Sequence, residues 1–246
     1  MKRFRADLHI HTVLSACADL EMSPVNIVNC AKEKNVDLIG ITDHNSTFHC
    51  SLVKELAEEE GISVLCGAEV TTREEVHCLA YFSDLATLDN FQKYIDRHLP
   101  LIPYLPEHFG YQAVVDREDR IIRLVEEYLN VGLSQTIDQV EQEVHRLGGL
   151  FVPAHVERQM FGIFGQLGFV PDTLLCDAMG IMQRSAEAEV RSKFRIAVSM
   201  PMIKASDAHA LSAIGSACTW FEIAEPTFDE IKKALKGEDG RKTSIE

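Results

Sequence analysis

At 246 residues and 46% hydrophobic composition, the chain has apolar material for one large core or two modest ones. Its formal charge of −14, from 38 acidic against 24 basic residues, disfavours an extended nucleic acid gripped through a broad basic surface. The seven cysteines form no CxxC pair and several sit in apolar runs, as thiols of a reducing compartment do. The first residues lead into a strand pattern and not an apolar leader, and no apolar run nears the ~20 residues that span a bilayer. A cytoplasmic protein without a membrane partner is expected.

The first 80 residues alternate short apolar runs with helical patterns. Residues 4–10 alternate apolar and polar, the period of a strand. Ser23 and Pro24 place an N-cap and a first-turn proline before a helix to about residue 34. Residues 37–42 read as a second strand and 51–60 as a helix ended by Gly61. Residues 63–66 and 76–81 read as strands three and four. Strands separated by helices predict parallel pairing in an α/β fold.

Residues 84–134 break this rhythm. Pro100, Pro103 and Pro106 fall here, and the polar turn Asp116-Arg117-Glu118-Asp119 lies between two apolar triplets. The stretch is read as an inserted segment carrying a hairpin within one domain spanning 1–246. The α/β rhythm then resumes. Thr136 with Gln139 forms a capping box for a helix closed by Gly148-Gly149. Strands follow at 150–153, 202–206 and 219–223, and Thr227 with Glu230 caps a last helix to about residue 236.

The chemistry concentrates at strand ends. His9-Ile10-His11 puts two imidazoles on one strand face, where both can meet one ion, with Asp7 one step behind to orient a ring. Thr42-Asp43-His44-Asn45 ends the second strand, and Glu69 lies just beyond the third. His77 sits in the fourth, His155 just past the next, and Asp207-Ala208-His209 past another. Burying so many charged or imidazole groups at equivalent points is costly without a shared partner. The carboxylate and imidazole set suits Zn, Mn or Fe. Clustered ions of this kind generate a hydroxide from water near neutral pH and neutralise phosphoryl oxygens. Asp43 either orients a ligand from behind or caps a helix. Arg158, Arg184 and Lys204 are candidates to bind a substrate phosphate. His49, His98, His108 and His145 lie outside the motifs and are read as surface or packing residues.

These stretches, with Gly67-Ala68-Glu69, Pro153-Ala154-His155 and Ser206-Asp207-Ala208-His209, resemble the PHP (polymerase and histidinol phosphatase) superfamily of metal-dependent phosphoesterases over essentially the whole chain. The resemblance implies a distorted seven-stranded β/α (TIM-like) barrel holding two or three metals. One ion takes His9, His11, Glu69 and Asp207. A second shares Glu69 and adds His77 and His155. A third takes His44, His209 and a residue soon after the HxH, for which Asp19 is chosen with Glu21 behind it and Cys17 as a bystander. The function that follows is hydrolysis of a small phosphate mono- or diester, a nucleotide or phosphorylated metabolite, with no extended nucleic acid as partner. The alternatives are a C–N or C–O hydrolase of the amidohydrolase kind and a non-catalytic metal-binding regulatory module.

Overall fold

The computed structural model describes residues 1–245. The first half of the chain holds β1 (Lys2–Ile10), α1 (Pro24–Glu33), β2 (Leu38–Ile41), α2 (Cys50–Glu59), β3 (Ser63–Thr71), β4 (His77–Phe82), α3 (Leu85–His98), α4 (Pro106–Phe109), β5 (Ala113–Val115) and β6 (Ile121–Leu124). The second holds α5 (Ile137–Arg146), β7 (Leu150–Pro153), α6 (Ile163–Gln166), β8 (Met179–Ile181), α7 (Glu187–Phe194), β9 (Met202–Lys204), β10 (Thr219–Ile223), α8 (Phe228–Lys236) and β11 (Lys242–Ile245).

The caps form as their residue types dictate. The Ser23 hydroxyl accepts the Asn26 N–H at the start of α1, with Pro24 following. Thr136 and Gln139 complete the reciprocal box of α5, and Thr227 accepts from the Glu230 N–H at α8. Each such cap is worth about 1 kcal/mol.

Seven strands pair in the order β11-β10-β1-β2-β3-β4-β7. Of these contacts, β1–β2 and β2–β3 are parallel, while β1–β10, β10–β11, β3–β4 and β4–β7 are antiparallel. The expectation of parallel pairing fails first at β3–β4, because residues 72–76 are far fewer than the dozen or so a parallel crossover needs. The sheet is curled but does not close into a barrel. The short parallel pair β8–β9 stands across the gap, held by a few backbone bonds. On one side the Val156 N–H donates to the Gly180 carbonyl at 2.9 Å. On the other, His11 N–H donates to Ala208 O at 3.0 Å and Ala208 N–H to His9 O at 3.1 Å. Three-residue strands are too short to add more rungs.

Two apolar layers hold the sheet. Outside, Ile27 and Val53 from α1 and α2, Phe91 from α3 and Val140 from α5 pack on Ile39, Ile41, Ala68, Ala80 and Phe151. Inside, Leu8, Leu38, Leu65, Leu79, Tyr81 and Val152 meet Phe228 and Ile231 of α8. Full burial of each such side chain contributes ~1.5–3 kcal/mol before entropy is counted. Gly40 permits a close approach here, since a Cβ on it would lie 2.3 Å from the Leu8 carbonyl oxygen.

A bulge in β1 redirects its side chains. Asp7 pairs with Ile39 and Ile10 with Ile41, so three steps on β1 match two on β2. Leu8 therefore joins the inner layer while Ile10 joins the outer one, although strict alternation puts them on one face.

Candidate metal centre

One rim of the curled sheet gathers the polar groups. His9 lies in β1 and His11 just after it, His44 follows β2, Glu69 lies within β3, and His155 follows β7. His77 opens β4, and because β4 runs antiparallel to β3 its beginning reaches the same rim. Asp207 and His209 follow β9. His9, His11, His44, Glu69, His77 and His155 are buried, while Asp207 and His209 are half-buried.

Glu69 is the hub. Its Oε1 lies 3.2 Å from His9 Nε2, 3.1 Å from His77 Nδ1 and 3.3 Å from His155 Nε2. Its Oε2 lies 3.2 Å from His11 Nε2 and 3.3 Å from His44 Nδ1. Asp207 Oδ1 stands 3.3 Å from His9 Nε2 and 3.5 Å from His11 Nε2. The two Nε2 atoms of His9 and His11 are themselves 3.1 Å apart. Four donors about 2.0–2.1 Å from a shared tetrahedral ion lie ~3.4 Å from one another. The set His9, His11, Glu69 and Asp207 matches that spacing and forms one group able to hold a metal. Two further groups are His44 with Glu69 and His77, and His11 with His44 and His209.

Hydrogen bonding supports the fit. His44 Nδ1, Glu69 Oε1 and both ring nitrogens of His77 and His155 are buried without a hydrogen-bond partner. Native interiors leave few such atoms unpaired, so convergent orphans of this donor chemistry fit cations.

The electrostatics agree. Burial pushes the Glu69 carboxyl up, yet the charges of His77 and His9 and the closeness of His11 and His155 hold it well below the usual carboxylate range. Asp207 is held far down in the same way, against its burial, by His9 and His11. His11 resists its own burial because Asp207 and Glu69 raise it to about 10, which is a measure of the pull of this anionic pair on a positive charge. Burial instead drives His44 well below its ordinary value, lowers His155, and takes His209 to about 4, leaving neutral imidazoles suited to ligation. The backbone is left-handed at His155 (φ 30°) and Asp207 (φ 51°), strain of order 1–3 kcal/mol that the surrounding structure sustains.

The structure refines the sequence reading residue by residue. Asp43 stands behind His11: its Oδ1 accepts from Ser15 Oγ at 2.7 Å, and Ser15 Oγ lies 3.1 Å from His11 Nδ1. Ser15 was not anticipated, since a hydroxyl four residues past a histidine has no periodic signature. Asp7, turned away by the bulge, orients no ring; its carboxylate accepts from Ser206 N at 2.9 Å and Gly215 N at 2.7 Å, and so tethers the segment carrying Asp207 and His209. Asp19 and Glu21 are exposed and outside the three groups, and Asp19 meets the rim only through its N–H, bonded to the His209 carbonyl. His11, not Asp19, joins His44 and His209. His155 contacts Glu69, while His44 takes the place beside Glu69 and His77 expected of it.

A cavity of about 360 Å³ opens beside His9 and Asp207, lined by Leu79, Ile181 and Ile203 with Arg158 and Arg184. Arg158 Nη1 is 3.5 Å from Asp207 Oδ2. Lys204 lies outside this lining and turns its ammonium to the Ser185 carbonyl at 2.8 Å, because β9 places it on the other face from Ile203. Phe161 stacks on the His77 ring, with centroids 4.4 Å apart, and holds it against the rim.

Residues 7–166 match the PHP domain and residues 192–239 the PHP-associated region. The uncharacterised protein YqxK of Bacillus subtilis is 26% identical over 98% of this chain, which spans 64% of YqxK. The lesion-specific endonuclease PfuEndoQ of Pyrococcus furiosus superposes with a TM-score of 0.74 at 22% identity, over 98% of this chain and 58% of that one. Endonuclease Q in complex with a 27-mer duplex bearing an abasic lesion at its active site gives the same TM-score at 20% identity. A protein assigned as a metal-dependent phosphoesterase, from Bifidobacterium adolescentis, follows at a TM-score of 0.57 and 17% identity, over 83% of this chain and 87% of its own.

The endonuclease complex overturns one expectation. A fold so similar accommodates a DNA duplex, so the acidic balance of this chain does not exclude an extended nucleic acid. Net charge describes the whole surface, whereas any cation held at the centre would set the local field. The family match covers most of the chain and carries the rim residues Asp7 to His155 with it; the chain belongs to the PHP family of metal-dependent hydrolases.

Proposed function

We propose that this protein is a phosphoesterase that hydrolyses phosphate mono- or diesters, nucleotides and phosphorylated metabolites among them. Five imidazoles converging within 3.1–3.3 Å of the buried Glu69 carboxylate carry the reading. His9, His11, Glu69 and Asp207 would hold one ion and Glu69 with His44 and His77, beside His155, a second, while His11, His44 and His209 form the third group able to hold one. Bound there, Zn, Mn or Fe supplies a low-pKa water and neutralises charge on the phosphoryl group.

The chain's own residues do the rest. Glu69 stays ionised and bridges the sets. Ser15 and Asp43 hold the His11 ring, leaving its Nε2 lone pair toward the centre. Arg158 and Arg184 line the cavity, and their guanidinium groups suit phosphate oxygens in a chain otherwise rich in acid. Leu79, Ile181 and Ile203 in the same lining offer apolar contact to the group esterified to the phosphate.

A second reading, cleavage of a phosphodiester in a nucleic-acid strand, is favoured by the higher TM-score to endonuclease Q than to the phosphoesterase. One experiment separates these readings. Metal content is measured by plasma mass spectrometry, alongside hydrolysis of p-nitrophenyl phosphate, its bis-ester and an abasic-site duplex. About two to three ions per chain are expected, with turnover lost on chelation and in His9→Ala. Turnover of the duplex alone selects the nucleic-acid reading, and no turnover of any of the three with metal bound sinks both.

A further inference from the structure

We propose that His49 is a positioning residue, tying the hairpin β5–β6 to the orientation of His11 through Thr12, Asp43 and Ser15. The inference rests on the metal-dependent reading above. By sequence His49 is a packing or surface residue, outside every motif. In the fold it is buried between the rim and the hairpin, 1% exposed, with both ring nitrogens engaged.

Proton accounting gives this chain a direction. The Val115 backbone N–H can only donate, and it donates to His49 Nε2 at 2.9 Å. Nε2 is therefore unprotonated, and Nδ1 carries the proton to Thr12 Oγ1, 2.6 Å away. That oxygen also accepts from the Leu14 N–H at 3.1 Å, so its own hydrogen goes to Asp43 Oδ2 at 2.8 Å. Asp43 Oδ1 accepts from the Thr12 N–H and from the Ser15 hydroxyl, both at 2.7 Å. With its single hydrogen committed to Asp43, Ser15 Oγ accepts from the His44 N–H at 3.2 Å and from His11 Nδ1 at 3.1 Å. His11 must then be protonated on Nδ1, which leaves Nε2, facing Glu69 and Asp207, as the nitrogen open to a cation.

Every side chain in this path is buried, so water has no ready place in it. The hairpin end is fixed too, since Val115 and Ala113 pack on Val13, two residues past His11. The Val115 amide of the 84–134 segment thereby fixes the tautomer of His49, and His49 in turn holds Thr12 and Asp43 in place behind His11. Partners behind a ligand typically change metal affinity 10–100-fold when removed. The lower end of that range is expected for one placed as far back as His49.

Two substitutions divide the ring's two bonds. In His49→Asn the amide nitrogen stands near the Nδ1 position and still donates to Thr12, while the Val115 bond is lost. In His49→Gln the amide oxygen stands near Nε2 and still accepts from Val115, while the donor to Thr12 is lost. Full-length proteins are titrated with Co²⁺, followed by visible absorption, and melted without metal as a control for packing. His49→Asn is expected to bind Co²⁺ as the wild type does, and His49→Gln about tenfold more weakly with an altered spectrum. Thr12→Val should repeat the loss and Thr12→Ser restore affinity, which keeps the test decisive if a His49 variant folds poorly. Equal affinities for both His49 variants, or losses that track their melting temperatures, would overturn the proposal and leave a packing histidine. If the wild type itself takes up no Co²⁺, the metal-dependent reading falls first and this one with it.

Discussion

An ionised carboxylate at 1% exposure carries a desolvation cost of several kcal/mol unless cations or hydrogen bonds offset it. Around Glu69 the candidates are imidazoles, and several of their nitrogens meet nothing but one another and this carboxylate. Glu69→Gln should therefore release bound metal altogether, whereas Ser15→Ala should weaken it only 10–100-fold by freeing the His11 ring. Competition with a chelator of known affinity ranks the two; equal losses would mean that Ser15 has no separate role. The ligand residue types are legible in the sequence, because HxH on a strand and repeated His and Asp at strand ends have few other uses. The roles of Ser15, Asp7 and His49 are not, because each depends on which way a bulge or a loop turns a side chain.

At the scale of elements, capping chemistry locates α1, α5 and α8 closely. The helix α3 is not anticipated, although Asp84 accepts the Thr87 N–H at its start and Leu88, Phe91 and Ile95 follow the helical period. Three prolines after it mask the pattern by making the whole stretch look irregular. The strand β8 and the helix α7 are too short and too weakly patterned to read, with Val190 the sole buried residue described in α7. Helix α5 is bonded to the sheet by His145, whose Nε2 lies 2.8 Å from Asp177 Oδ2, an oxygen that also accepts from the Phe151 N–H at 2.8 Å. The Asp177 hydrogen bond holds the imidazole above its usual range, against a smaller opposing effect of burial. A raised folded-state pKa stabilises fully below about pH 6.5, and the contribution is lost as pH rises through the folded value. His145→Gln should thus lower stability by roughly 0.5–1 kcal/mol at pH 6, discounted for the partial exposure of the pair, and by less at pH 9. Thermal melts of the metal-free proteins at both pH values check the sign; a larger loss at pH 9 would refute it.

Over the whole molecule, an ion that binds only the folded rim adds to stability by mass action. At about 100 times its dissociation constant one ion adds ~2.7 kcal/mol. For a domain of this size that corresponds to about 5–11 °C in melting temperature. Chelation should lower the Tm by that order and added Mn²⁺ or Zn²⁺ restore it, as read by calorimetry; an unchanged Tm would argue against a rim loaded under those conditions. The same scale shows where the charge reading overreached. A net −14 limits broad basic surfaces, yet it says nothing of two guanidinium groups lining one cavity beside residue groups able to hold metal. No helix among the described residues is long and apolar enough to cross a membrane.

The sequence by itself determined the candidate ligand types, the α/β class and three helix caps, because those follow from side-chain chemistry and short-range periodicity. Tertiary structure alone decided that His77, which opens its strand, reaches the common rim, and that the sheet stops short of a closed barrel. It also decided that Asp7 ties down a loop, that Lys204 turns from the cavity, and that His49 reaches the hairpin. Each of these depends on strand direction, a one-residue bulge or a contact between residues distant in sequence, and local pattern carries no information about any of them.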